Sequence, residues 1–229
     1  IGMVFQNYAL FANKTARQNI TEGLTTVRGW SQAKAAARAD EILAQIGLAD
    51  RGDSYPSAMS GGQQQRVGIG RAMALDLASH GWGVAVHYFT SKDDADEVVA
   101  EITRAGGRAA AVQANLGSEA DTVGLVPAAT ERLGPLTALI NNASVFERDE
   151  IGTADRESWD RHMEANLRAP LVLSQAFAKQ LPAEERGCIV NILDQRVWNL
   201  TPHFVSYTLS KAGLWTLTQT LALALAPRI

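Results

Sequence analysis

Tyr207 and Lys211, in the run YTLSK, stand four residues apart in a chain of 229 residues. On a helix that spacing puts both side chains on one face and within reach of each other. An ammonium beside a phenol favours the phenolate, which lowers the tyrosine pKa toward working pH. Tyr207 could then serve as a general acid. The pair alone is common on any helix, so it needs company before it counts as chemistry. Metal chemistry finds no support, because His80, His87, His162 and His203 show no paired ligand spacing and Cys188 is the single cysteine. That count also excludes an intramolecular disulfide and fits a reducing, cytoplasmic setting.

The elements that must position these groups follow from the apolar pattern. IGMVF is a short β-type run, followed by helical stretches around Ala16–Leu24 and over SQAKAAARADEILAQIGL. A polar loop leads to a helix over Gln63–Ser79. From there strands and helices alternate: GVAVHYF, the helix Lys92–Ala105, RAAAVQANL, the helix Glu119–Leu133, LTALINNAS, one long helix over Arg156–Gln180, GCIVNILD, and a closing helix Tyr207–Ala226. Such alternation with short connections predicts a doubly wound α/β fold, its parallel sheet covered on both faces. A formal charge of −3 without a Lys/Arg run gives no electrostatic case for nucleic acid. No apolar run reaches the ~18 residues of a membrane span. The opening IGMVFQ, apolar and without an initiator methionine, reads as a fragment rather than a signal peptide.

Two families are resembled in turn. GMVFQNYALFANKTARQNI, with Gln6 in the loop position, and YPSAMSGGQQQRV resemble the Q-loop and signature sequence of ATP-binding cassette ATPases of the polar-amino-acid importer type. The resemblance covers residues 1–75. It implies that Gln6, Ser60, Gly61, Gly62 and Gln63 belong to nucleotide loops around a helical subdomain. The chain has no GxxxxGKS or GxxxxGKT sequence, so no P-loop cradles phosphate here.

Residues 68–229 resemble the short-chain dehydrogenase/reductase family. YTLSK matches its Tyr-x-x-x-Lys pair, and the resemblance gives Lys211 the further task of holding the nicotinamide ribose. Thirteen residues before the tyrosine, where most members have serine, stands Asp194, as in pteridine-reductase-like members. The same resemblance implies that Asn166 anchors a water in a proton relay. It also places Asn141, Asn142, Ala143 and Ser144 (NNAS) beside the cofactor and Asn115 near its adenine. Gly68 and Gly70 keep two of the family's three phosphate-loop glycines, but Gln64 replaces the first and would crowd the pyrophosphate. HYFTS, ending the second family strand, has no acid for a ribose 2′-hydroxyl, and Ser91 and Lys92 could receive a 2′-phosphate, which favours NADP(H).

These resemblances imply a Rossmann-like sheet with a helical insert, joined at the helix that RVGIGRAMALDLA forms in both families. Three readings stand open. One is an NADPH-dependent reductase of pteridine-reductase type, acting on a carbonyl or pterin-like small molecule, with cofactor binding weak or absent and activity impaired by truncation. A scaffold with no catalysis is the second, and a fragment of a transporter's ATP-binding subunit is the third. A homodimer through the helices Arg156–Gln180 and Tyr207–Ala226 is implied by family habit. A Rossmann sheet lacking its first strand would leave unpaired N–H and C=O groups on both neighbours. Ile1–Phe5 is therefore expected in that slot, parallel to Gly83–Tyr88 and flanked by Leu136–Asn141.

Overall fold

A computed structural model of the chain describes residues 2–5, 14–26, 30–45, 52–54 and 69–229. Five parallel strands form one sheet in the order β3-β2-β1-β4-β5. They are β1 (Gly2–Phe5), β2 (Val84–Tyr88), β3 (Ala109–Gln113), β4 (Ala138–Asn141) and β5 (Cys188–Asn191). The first strand lies in the central slot. Gly2 is in register with Val84 on one side and with Ala138 on the other, and Val4 with Val86 and Ile140. Both neighbours thereby gain the ladder partner that a sheet without this strand would deny them.

The helices are α1 (Ala16–Thr26), α2 (Gln32–Gln45), α3 (Ile69–Ser79), α4 (Lys92–Arg104), α5 (Glu119–Leu133), α6 (Arg156–Met163), α7 (Ala169–Gln180) and α8 (Val205–Leu225). Two apolar clusters sandwich the sheet. Val84, Val86 and Ile140 pack with Ala74 of α3 and with Ala95, Val98 and Ile102 of α4. Ala85, Val112 and Leu139 point the other way, toward Leu125 and Val126 of α5 and Leu173 and Phe177 of α7. Successive residues of one strand thus enter opposite cores, which is why these strands are nearly continuously apolar.

Helices α1 and α2 are inserted between β1 and α3. Arg17 of α1 bonds Asp40 of α2 at 2.7 Å, and Arg38 of α2 reaches Asp76 of α3 at 3.2 Å. Among the described residues no helix is long and apolar enough to cross a membrane.

The single long helix expected over Arg156–Gln180 is interrupted by a π-helical turn, Glu164–Arg168, between α6 and α7. Pro170 accounts for the break: with no N–H, it cannot bond the carbonyl four residues back, and the extra residue of a π turn absorbs the mismatch. A close approach then follows at Gly213 of α8. A Cβ there would lie 2.8 Å from Leu167 Cδ2, so only glycine lets α8 rest on the π turn without a shift.

Candidate active site

The carboxyl ends of β4 and β5 and the first turns of α8 converge on one side-chain cluster. Tyr207 and Lys211 are both buried on the inner face of α8, as their spacing requires. Beyond β5, the 3₁₀ turn Gln195–Val197 begins at Asp194, whose carboxylate caps it by accepting the Arg196 N–H at 2.8 Å. The same carboxylate accepts the Tyr207 hydroxyl at 3.0 Å. Lys211 Nζ donates to the Ile192 carbonyl at 2.9 Å and lies 5.9 Å from the centre of the Tyr207 ring.

Asn166 sits in the π turn and is fully buried. Its side chain holds the main chain of Val145 in both directions, accepting its N–H at 2.7 Å and donating to its carbonyl at 2.9 Å. A further N–H goes to Ser210 Oγ at 3.0 Å. The side chain is thus occupied in tying the loop after β4 to α8. Ser144, at the start of that loop, hydrogen-bonds the Tyr207 phenol. On the outer side, Phe146 stacks on Phe204 at 4.5 Å between ring centres and meets Tyr207 edge-on at 4.7 Å. Arg196 lies over both phenylalanine rings, 5.1 Å and 4.8 Å from their centres.

The electrostatics correct one expectation. The Tyr207 pKa is raised, not lowered: burial disfavours the phenolate most, the Asp194 carboxylate adds to the effect, and Arg196 and Ser144 offset it only in part. Burial also pulls Lys211 down from 10.5 to about 8, against the attraction of Asp194. The ammonium therefore does not prevail over the aspartate and the apolar surroundings, and Tyr207 stands as a neutral phenol whose proton rests on an anion.

The remaining candidates are spread along the sheet's carboxyl edge. Asn142 is fully buried just past β4, and Ala143 packs against the core. Asn141 bonds Asn191 across β4 and β5 at 2.7 Å, and Asn191 bonds Thr218 of α8 at 2.9 Å. Asn191, a polar residue in an apolar run, is thus a tie between sheet and helix. Asn115 closes its own turn by accepting the Gly117 N–H at 2.9 Å. Ser91 is the N-cap of α4 but makes no side-chain cap bond there, and Lys92 pairs with Asp96 on the same helix. Gly70 is buried in the first turn of α3. Gln6, Ser60, Gly61, Gly62, Gln63, Gln64 and Gly68 lie outside the described residues.

The cluster thus joins Tyr207, Asp194, Ser144, Lys211 and Asn166, while Asn115, Ser91 and Lys92 belong to the far half of the edge. Sequence reasoning missed Phe146, Phe204 and Arg196, which lie in irregular segments where no periodicity singles them out.

The short chain dehydrogenase family model matches residues 62–229. The chain belongs to the short-chain dehydrogenase family. The ABC transporter family model matches residues 1–78. An oxidoreductase of Methylorubrum extorquens described as uncharacterised is 40% identical over 161 residues, covering 70% of this chain and 64% of the relative. A 3-oxoacyl-acyl-carrier-protein reductase of Staphylococcus epidermidis is 32% identical over 70% of this chain and 66% of its own length. The chain thus spans about two thirds or less of these relatives. Among solved structures, the FolM alternative dihydrofolate reductase 1 of Brucella suis in complex with NADP is 49% identical, with a TM-score of 0.68, over 70% of this chain and 67% of that one.

Proposed function

We propose that the chain is an NADP(H)-dependent reductase of pteridine-reductase type. The observation that carries this reading is the Tyr207–Asp194 hydrogen bond of 3.0 Å, made in a buried site with Lys211 one helical turn further on. An aspartate on the phenol can hold the proton on Tyr207 and orient a polar nitrogen heterocycle, whereas a serine could do only part of this.

The residues present fit a nicotinamide cofactor. Lys211 is buried with three N–H donors, and among the described residues one acceptor, the Ile192 carbonyl, is hydrogen-bonded to it. The other donors suit ribose hydroxyls. The sheet reverses its winding between β1 and β4, and Asn142 and Ala143 follow β4 at that crevice, where open α/β sheets bind dinucleotides. Ser91 and Lys92 would meet a 2′-phosphate at the head of α4. The NADP in the Brucella relative's structure agrees with this choice.

Reduced nicotinamide, when bound, supplies hydride to the electrophilic carbon. This chain's part is to hold and deliver the proton. Tyr207 keeps it at working pH because burial and Asp194 raise its pKa, and Tyr207 Oη donates it to the substrate oxygen or nitrogen as electrons arrive there. Asp194 orients that hydroxyl and offers its carboxylate to substrate N–H groups. Phe146, half exposed beside the phenol, offers an aromatic wall to a flat ring.

The substrate class proposed is a small carbonyl or dihydropterin-like molecule. We assign residues 1–75 to a cassette-ATPase-like part and 68–229 to the reductase part, sharing α3. A cytoplasmic location and pairing through α6, α7 and α8 belong to the same reading. A scaffold without catalysis has one observation in its favour, since residues 6–68 separate β1 from α3, where the family's phosphate loop should directly connect them.

Nicotinamide absorbance with NADPH and a dihydropterin or ketone tests the proposal. Tyr207→Phe should cost about 10²–10⁴ in turnover and leave NADPH binding near normal. Unchanged turnover in that variant overturns the assignment, and no NADPH binding by the parent chain leaves the scaffold reading.

A further inference from the structure

Beneath Tyr207 lies a second polar cluster that the proposed reaction does not use. Asp149, Ser206 and His162 are all buried, with at most 3% of each exposed. Their types are those of a nucleophilic hydrolase, but their arrangement is not. The Ser206 hydroxyl donates to Asp149, not to the histidine, and none of the three reaches solvent.

The hydrogen bonds run instead to the start of α8. That helix begins at Phe204, which has φ 61° and ψ 49°, and its side chain offers no cap. Phe204 is the one non-glycine residue with positive φ among the described residues. Such a conformation is strained for a bulky side chain and persists only where neighbours over-determine it. Asp149 supplies that restraint. Its carbonyl accepts the Phe204 N–H at 2.7 Å, and its carboxylate accepts the Ser206 N–H at 3.2 Å and 3.4 Å. A carboxylate from a distant loop therefore does the work of an N-cap, where a negative charge also suits the helix dipole. Ser158 Oγ, from the capping box of α6, donates to the same carboxylate at 3.2 Å.

His162 braces the other side. Its Nε2 accepts the Glu147 N–H at 3.1 Å, so the ring is neutral with its proton on Nδ1. Nδ1 lies 2.7 Å from Ser206 Oγ and 2.8 Å from the Ser158 carbonyl. The ring stands edge to face with Tyr207, 6.0 Å between centres. Three segments, the loop after β4, α6 and the head of α8, are thus pinned at the residue preceding Tyr207.

We infer that Asp149, Ser206 and His162 are positioning residues for Tyr207, a clamp that sets the first turn of α8 so that the phenol meets Asp194. The inference rests on the reading of Tyr207 as proton donor. Burial pushes the Asp149 carboxyl up, but the bonds from Ser206 and Ser158 outweigh it and hold the group below its ordinary value.

The test needs neither cofactor nor substrate, so it stands apart from the success of the proposed reaction. Phenolate absorbance is followed with rising pH in each variant and in the same variant carrying Tyr207→Phe, the difference isolating Tyr207. The groups facing that phenol are Asp194, Arg196, Ser144, His162 and Lys211. In the parent, Tyr207 should stay silent up to about pH 11, above the ordinary tyrosine value of about 10. Asp149→Ala should release the phenol from Asp194 and from its burial, so that Tyr207 ionises within that window. Asp149→Asn keeps an acceptor for the Ser206 N–H and should restore silence. Ser206→Ala, a milder change that keeps the main-chain bond, should shift the onset in the same direction and serves if Asp149→Ala does not fold. A lower melting temperature with Tyr207 still silent in Asp149→Ala and Ser206→Ala would show a merely structural role and overturn the inference.

Discussion

Replacing Lys211 with methionine should make this protein more stable at neutral pH while removing its proposed function. The gap between the ordinary lysine value of 10.5 and about 8 corresponds to roughly 3 kcal/mol. That is the cost of keeping the ammonium charged in its buried site. Methionine has similar length and no charge, so it returns most of this. It also deletes the bond to the Ile192 carbonyl at 2.9 Å, a loss of about 1–2 kcal/mol once the stranded carbonyl is included. The net gain at pH 7 is about 1–2 kcal/mol. Its pH dependence distinguishes this account from better packing. Below about pH 8 the lysine is protonated in native and unfolded chains alike, and the native state bears the whole cost. Between about 8 and 10.5 the unfolded chain holds the proton that the native one has released, so the parent gains stability as pH rises. The methionine variant lacks that rise, and its advantage should vanish by about pH 10. Urea unfolding of both proteins from about pH 6.5 to 10 measures the difference. A variant less stable than the parent at pH 7, or an advantage that does not narrow with pH, would refute the reasoning.

Three further outcomes are expected. Val4→Pro removes an N–H from the strand between β2 and β4 and should abolish cooperative unfolding, checked by calorimetry, whereas a proline in a dispensable tail would leave the transition intact. Gly213→Val drives a side chain into Leu167, whose Cδ2 would already lie 2.8 Å from a Cβ; it should destabilise by about 1–3 kcal/mol and loosen the Asn166–Ser210 contact, seen as faster hydrogen exchange in the π turn. NADPH should bind more tightly than NADH in nicotinamide fluorescence titrations, and Lys92→Ala should shrink the difference only modestly, since the site is exposed and screened.

Much of the architecture is legible because it rests on local period and on pairing demands. The apolar strands alternating with amphipathic helices imply the parallel sheet, and the helix Glu119–Leu133 matches α5 to the residue. The place of β1 follows from a need rather than a pattern: two inner strands required a partner, and the chain held one spare. The YTLSK spacing likewise determines that Tyr207 and Lys211 share a face of α8. The first break in this legibility is at Pro170, where a helical period runs on unbroken in sequence although the missing N–H forces a π turn.

What only the tertiary structure decides is the balance of fields and distances around that shared face. Proximity of Lys211 in sequence suggested a lowered tyrosine pKa. The direction is opposite, because folding buries the phenol and because β5 carries Asp194 to within 3.0 Å of it. Neither burial nor a contact between residues thirteen apart in the chain leaves a mark in local spacing. The same holds for Asn191, which reads as a flaw in a strand until Asn141 and Thr218 are beside it. Asp149, Ser206 and His162 come from a loop, the head of one helix and the last turn of another. Their hydrogen bonds exist only once the sheet has set those three segments side by side.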